Sequence, residues 1–224
     1  MYNSQISFTL DTICPWTYLA KKRLDLALAQ LPPEVSSKVS FKVQFLPYQL
    51  YPSFGPTQQK YAWQRDRKYD GSKEKMDMYV EYMSTLGKAS GIKFSFGGDI
   101  ADTLQAHRII QYFQEEAGAE TANRLVNALY RMYFEEEQSP SSRETLVAAC
   151  LEAGIDAGKA KAVVEDESEG TMEVKAALRE SVTNAIDSVP HITFEGRRRD
   201  LTLVGAKEVH EYIKAMDTIA KECS

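Results

Sequence analysis

Ile6-Ser7-Phe8-Thr9-Leu10-Asp11-Thr12-Ile13-Cys14-Pro15-Trp16-Thr17 is the stretch whose reading settles the architecture. Its first five residues alternate apolar and polar side chains, the two-residue period of a strand with one buried face. Asp11-Thr12-Ile13 reads as a short loop, and Cys14-Pro15-Trp16-Thr17 opens a helix. Pro15 falls at the first helical position, where its missing N–H costs nothing, so Cys14 takes the N-cap. Ala20, Leu24, Ala27, Leu28 and Leu31 then keep a 3.6-residue period until Pro32-Pro33 stops the helix. Val39, Phe41, Val43 and Phe45 alternate again and predict a second strand ending at Leu46-Pro47. A strand–helix–strand opening places all three elements in one layered core with parallel strand pairing.

Further along, the pattern changes. Between Gln58 and Leu178 no alternating run occurs, only helical spacing. Met76, Tyr79, Val80, Met83 and Leu86 mark one helix; Leu104, His107, Ile110 and Phe113 a second. Leu125, Ala128, Leu129 and Met132 mark a third, and Leu146, Val147, Cys150 and Leu151 a fourth, with Gly118, Pro140 and Gly154 as punctuation. Ile192-Thr193-Phe194 and Leu201-Thr202-Leu203, around a polar turn, predict a hairpin. Val209, Tyr212, Ile213, Met216 and Ile219 predict a closing amphipathic helix. The chain therefore divides into residues 1–57, a helical insertion over 58–178, and a return over 179–224.

The 224 residues carry 27 Lys and Arg against 32 Asp and Glu, a net charge of −5. This balance argues against a nucleic-acid or anionic-membrane surface, which needs clustered positive charge. No run approaches the length of a membrane span, and the N-terminus lacks the pattern of a secretory signal. Cys14, Cys150 and Cys223 are too few and too scattered for a disulfide framework. The expectation is a soluble cytoplasmic protein.

Cys14 is the first candidate for chemistry. At a helix start, free N–H groups and the positive end of the helix dipole stabilise a thiolate. Position alone is equally compatible with a buried structural cysteine. Thr17, three residues on, can donate to that thiolate or cap the first turn, but it cannot resolve a mixed disulfide. Val189-Pro190 precedes the third strand, where proline is ordinary punctuation. His107 lies on an apolar stripe and suits a core histidine, and no histidine pair has the spacing of a metal site. Glu135-Glu136-Glu137 and Glu165-Asp166-Glu167 read as solvated helix ends, and Arg197-Arg198-Arg199 as an exposed turn.

The segment from Asp11 to Leu24 resembles the active-site region of DsbA-like thioredoxin-fold oxidoreductases. It is most similar to the FrnE-type branch, related to 2-hydroxychromene-2-carboxylate isomerases and kappa-class glutathione transferases. Leu46-Pro47-Tyr48-Gln49-Leu50-Tyr51-Pro52, Asp102-Thr103-Leu104-Gln105-Ala106-His107-Arg108 and Ser188-Val189-Pro190 with Phe194 and Gly205-Ala206 resemble further family segments, in the family order. The resemblance implies an α/β thioredoxin-like fold with a large all-helical insertion, a cis Pro190 beside Cys14, and a Val189 backbone that pairs with an extended thiol ligand such as glutathione. It makes Cys14 and Thr17 the catalytic positions, with Pro15, Trp16, Tyr48, His107, Val189 and Pro190 binding glutathione or substrate. A homodimer is compatible with it. Thr17 departs from the family pattern by standing where a second cysteine is usual.

Three functions follow as expectations. The first is a monothiol oxidoreductase with Cys14 as nucleophile and glutathione as cosubstrate. The second is a glutathione-dependent transferase or isomerase acting on a small aromatic or polyketide-like electrophile. The third is a non-catalytic peptide-binding module using the groove beside Pro190.

Overall fold

A computed structural model describes residues 1–223. Strand β1 (Tyr2–Leu10) leads through loop 11–14 into helix α1 (Pro15–Ala29), and the single turn α2 (Pro33–Ser36) precedes strand β2 (Val39–Pro47). The middle of the chain contains β3 (Gln58–Gln59), α3 (Lys60–Tyr69), α4 (Lys73–Ala89), β4 (Asp99–Ile100), α5 (Leu104–Ala117), α6 (Ala119–Phe134), α7 (Arg143–Glu152), α8 (Ala157–Glu165) and α9 (Thr171–Thr183). Strands β5 (His191–Phe194) and β6 (Leu201–Val204) and helix α10 (Val209–Glu222) complete it.

The main sheet has the order β2-β1-β5-β6. β1 and β2 run parallel, from Tyr2 opposite Val39 to Leu10 opposite Pro47, as a connection through a helix allows. β5 is antiparallel to β1, with Phe8 opposite Ile192, and β6 closes the hairpin with Phe194 opposite Leu201. β1 is thus a central strand. Ser4, Ile6 and Phe8 are buried along one of its faces, and Thr9 and Leu10 are buried at its end.

The segment 58–178 is helical except for one feature that the spacing did not announce. Gln58 and Gln59 pair antiparallel with Asp99 and Ile100 in a separate two-stranded ribbon. Two residues per strand are too few to leave a periodic trace. β1 begins at Tyr2 rather than Ile6, and α9 runs past residue 178 to Thr183. Leu151, expected on a buried face, is 47% exposed, whereas Cys150 beside it is fully buried.

Aromatic packing joins the insertion to the sheet layer. Tyr18 of α1 stacks on Tyr130 at 4.9 Å and on Phe134 at 5.7 Å, both from α6. Burial of a side chain of this size contributes about 1.5–3 kcal/mol. Polar latches add position. Gln114 of α5 accepts from the Phe45 N–H at 2.8 Å, and the side-chain amides of Gln111 and Gln114 each donate to the Phe45 carbonyl at 3.0 Å. Those side chains occupy the outer edge of β2 where a further strand would pair. Arg108, fully buried, donates to the carbonyls of Val163 and Glu169 at 2.8 Å and so ties α5 to α8 and the turn before α9. No helix among the described residues is long and apolar enough to cross a membrane.

Candidate active site at the start of helix α1

Cys14 has extended backbone angles (φ −89°, ψ 114°) and forms the N-cap of α1, with Pro15 at the first helical position. The loop before it is pinned by Asp11, which is fully buried. The Asp11 carboxylate accepts from the Leu50 N–H at 2.7 Å and from the Ile13 N–H at 3.4 Å, and its carbonyl accepts from the Cys14 N–H at 3.0 Å. One buried acid therefore joins the loop after β1 to the loop after β2. This fixes the position of the cysteine before any ligand arrives.

The second wall comes from the distant end of the chain. The Val189–Pro190 peptide is cis, and the Cys14 Sγ lies 3.8 Å from the Val189 carbonyl oxygen. Pro190 is buried, and its carbonyl accepts from the Gly205 N–H at 2.8 Å, which ties it to the end of β6. A cleft of about 200 Å³ opens here. Cys14, Pro15, Trp16 and Val189 line it, together with Leu50, Tyr51, Gln64, Lys68, Ile100, Asp187 and other neighbours in the same loops. A larger groove of about 440 Å³ lies between Met1, Tyr2, Lys38, Arg197 and Cys223. The smaller one is the candidate site because it holds the helix-start cysteine against the Val189 backbone.

Four of the expected residues thus line one cleft: Cys14, Pro15, Trp16 and Val189. Pro190 stands behind Val189. Tyr48 and His107 do not line it. The Tyr48 hydroxyl donates to the Asp187 carbonyl at 3.2 Å, bracing the loop that carries Val189. His107 is fully buried with its Nε2 3.4 Å from Asp11 Oδ1, behind the cysteine loop, and neither ring nitrogen makes a hydrogen bond. The core reading of its apolar stripe describes its place, and the Asp11 contact explains how it still borders the site.

Thr17 is also fully buried. Its hydroxyl lies 2.8 Å from the Asp11 carbonyl oxygen and 2.7 Å from that of Cys14, and it donates to these acceptors. The sequence suggested a bond to the cysteine sulfur or a cap on a first-turn N–H. Instead the short side chain folds back onto the two carbonyls closest to it and stiffens the turn.

The thiol also differs from expectation. Burial pushes the Cys14 thiol up to about 11, and the Asp11 carboxylate adds to the rise; the backbone N–H groups of Thr17 and Trp16 and the Lys68 ammonium pull it down. A helix start lowers a thiol pKa when solvent or cations share the work. Here Cys14 is only 4% exposed, and desolvation outweighs the dipole. Cys150, deep in the core, is pushed up to about 12 by burial, with Arg108 opposing.

Tyr51, Gln64, Lys68, Ile100 and Asp187 were not among the expected site residues. Tyr51 had a signal, since it shares the loop of Tyr48. Gln64 and Lys68 sit on a helix that the spacing never resolved, and Ile100 sits in the hidden ribbon.

Residues 5–217 match the model of the DsbA-like thioredoxin domain. The chain belongs to that family. Among solved structures, it is similar to a probable DsbA oxidoreductase from Streptomyces coelicolor, at 25% identity and a TM-score of 0.84, over 98% of this chain and 91% of that one. A 2-hydroxychromene-2-carboxylate isomerase shares the fold at 18% identity and a TM-score of 0.67, over 97% of each chain. So does the cytosolic disulfide reductase DsbM from Pseudomonas aeruginosa with GSH, at 15% identity and 0.61, over 97% of this chain and 96% of that one. No curated protein sequence matches the chain. The DsbA-like domain accounts for the thioredoxin-type sheet and the helices between β2 and β5.

Proposed function

We propose that this DsbA-like protein is a glutathione-linked monothiol oxidoreductase of the cytoplasm. The observation that carries the reading is the Cys14 sulfur held 3.8 Å from the Val189 carbonyl, both residues lining one cleft. The Cys14 thiolate attacks one sulfur of a disulfide R–S–S–R; a Cys14–S–S–R bond forms and RS⁻ leaves. Glutathione thiolate then attacks the substrate-derived sulfur of that bond; an R–S–S–G mixed disulfide forms and the Cys14 thiolate leaves. A second glutathione converts the mixed disulfide to RS⁻ and glutathione disulfide. Electrons pass from glutathione to the substrate. Because Thr17 has no thiol, the second step needs an external one. The chain shares its fold with a disulfide reductase solved with GSH. The Val189 backbone beside the sulfur offers the strand-like edge that a peptide thiol would pair with.

The test is turnover of bis(2-hydroxyethyl) disulfide with glutathione, coupled to NADPH through glutathione reductase, together with intact mass after one turnover. The wild-type chain should turn over and carry a mixed disulfide on Cys14, and Cys14→Ser should do neither. Absence of the adduct from wild type overturns the reading.

One observation favours a second reading. Burial holds Cys14 protonated at neutral pH, so its S–H can donate to a bound glutathione thiolate instead of attacking. The chain would then be a glutathione-dependent transferase or isomerase, in line with the isomerase among its structural neighbours. Consumption of 1-chloro-2,4-dinitrobenzene, or isomerisation of a chromene carboxylate, that needs glutathione but forms no Cys14 adduct would select it.

A further inference from the structure

One wall of the Cys14 cleft is furnished with polar groups that thiol exchange itself does not use. Gln64 and Lys68 are four residues apart on α3, and both line the cleft. Gln64 is 4% exposed. Its Oε1 is sealed from water without a partner, and among the described residues its amide nitrogen makes no hydrogen bond either. The amide NH₂ is therefore a free donor for an acceptor oxygen that enters the cleft, whereas the sealed Oε1 is itself an acceptor and takes no part in holding an anion.

The other cations of α3 are already engaged. Lys60 donates to the Tyr133 carbonyl at 3.0 Å, Arg65 pairs with Asp66 at 2.7 Å, and the Arg67 guanidinium lies 5.5 Å over Tyr51 and 5.6 Å over Trp63. Lys68 has no carboxylate within ion-pair distance among the described residues, and the group its charge interacts with is Cys14. Partial desolvation lowers its pKa, and Cys14 opposes that.

The wall is also built to hold still. The Gln59 side chain accepts from the Ala62 N–H at 2.6 Å at the start of α3, the Lys60 N–H donates to Gly98 beside the ribbon, and Trp63 packs edge-on against Tyr51 at 4.6 Å. The Asp187 carboxylate elsewhere on the lining repels an anion from its own side. Negative charge in the cleft is therefore directed toward α3.

We infer that Gln64 and Lys68 form an anion subsite, in which the side-chain amide of Gln64 and the ammonium of Lys68 seat a carboxylate of the thiol or disulfide presented to Cys14. The substrate class is a small thiol carrying a carboxylate, as glutathione does; this rests on the reading of this cleft as the thiol site and adds the residues that hold the carboxylate. Neutral and cationic thiols of the same size are poorer ligands.

Calorimetric binding of S-methylglutathione and of its dimethyl ester to the full chain tests this, with circular dichroism to confirm that each variant is folded. The free acid should bind wild type about tenfold or more tightly than the ester, the scale of one charge-assisted hydrogen bond. Lys68→Glu should abolish or invert that preference, and Gln64→Leu should reduce it. The same acid preference in wild type and Lys68→Glu, or no binding of the acid to wild type, overturns the subsite. The probe has no free thiol, so the result does not depend on exchange at Cys14. An intact acid preference in a chain that never forms a Cys14 adduct removes the redox reading and leaves the subsite standing.

Discussion

The sulfur of Cys14 lies 3.8 Å from the carbonyl oxygen of Val189, across 175 positions of sequence. The pair sets the helix start beside the backbone that leads into β5. It joins the two halves of the sheet layer at the point where an extended thiol ligand would meet both.

The balance of forces on Cys14 is open to measurement. Because burial and Asp11 both raise its thiol pKa, alkylation of Cys14 in the native chain should be slow at mildly acidic pH and rise roughly tenfold per pH unit toward pH 11. Asp11→Asn removes the negative charge and should move the profile to lower pH. Mass-mapped alkylation across pH checks both statements; a rate already flat at neutral pH would contradict the first. Asp11→Ala additionally strips the Leu50 and Ile13 N–H groups of their acceptor and should cost about 2–4 kcal/mol in urea unfolding.

The same burial couples stability to alkali. A thiol whose pKa is raised on folding keeps more protons in the native state, so its contribution is whole below the unfolded value and is lost as pH rises through the folded one. With Cys14 at about 11 and Cys150 at about 12, stability should fall steadily above the ordinary thiol range, between about pH 9 and 12. Cys150→Ala should flatten that slope while lowering stability at neutral pH. Urea titrations at successive pH values report it.

Thr17→Cys should convert monothiol to dithiol behaviour. The two positions lie three residues apart at a helix start, and the lost hydroxyl bond to the Asp11 and Cys14 carbonyls costs about 0.5–1.5 kcal/mol. In single turnover without glutathione, wild type should stop at a trapped adduct. The variant should release reduced substrate and form a disulfide between Cys14 and the introduced thiol. A folded variant that forms no internal disulfide would refute this geometry.

Arg108→Ala should be among the most damaging changes away from the cleft. It leaves the Val163 and Glu169 carbonyls without their donor and opens space between α5 and α8. A loss of about 3–5 kcal/mol in urea unfolding is expected, with part of it restored by Lys, which returns a charge but not the two-armed geometry.

The strand–helix–strand opening was legible because apolar alternation before Asp11 and after Lys38 matches the pleat, and because Pro15 marks a helix start. The helix-start cysteine was legible for the same reason. Gln64 and Lys68 were not, since nothing in the polar sequence of α3 says which of its charged residues turns toward a cysteine some fifty positions earlier. The ribbon of Gln58–Gln59 and Asp99–Ile100 decides that, and a pair of two-residue strands has no period to read. The direction of the Cys14 pKa shift was hidden too, because a helix dipole is a local property and burial a tertiary one.

The glutamines of α5 on Phe45 have a consequence for how the molecule opens. The Phe45 amide is held by a side chain of the insertion rather than by a neighbouring strand, so deuterium reaches it only when α5 lifts from the sheet. If sheet and helices separate as one cooperative unit, that amide exchanges at the rate of global unfolding, together with the amides in the middle of β1. If the helices can peel away on their own, it exchanges first, and the fold consists of two foldons sharing one polypeptide.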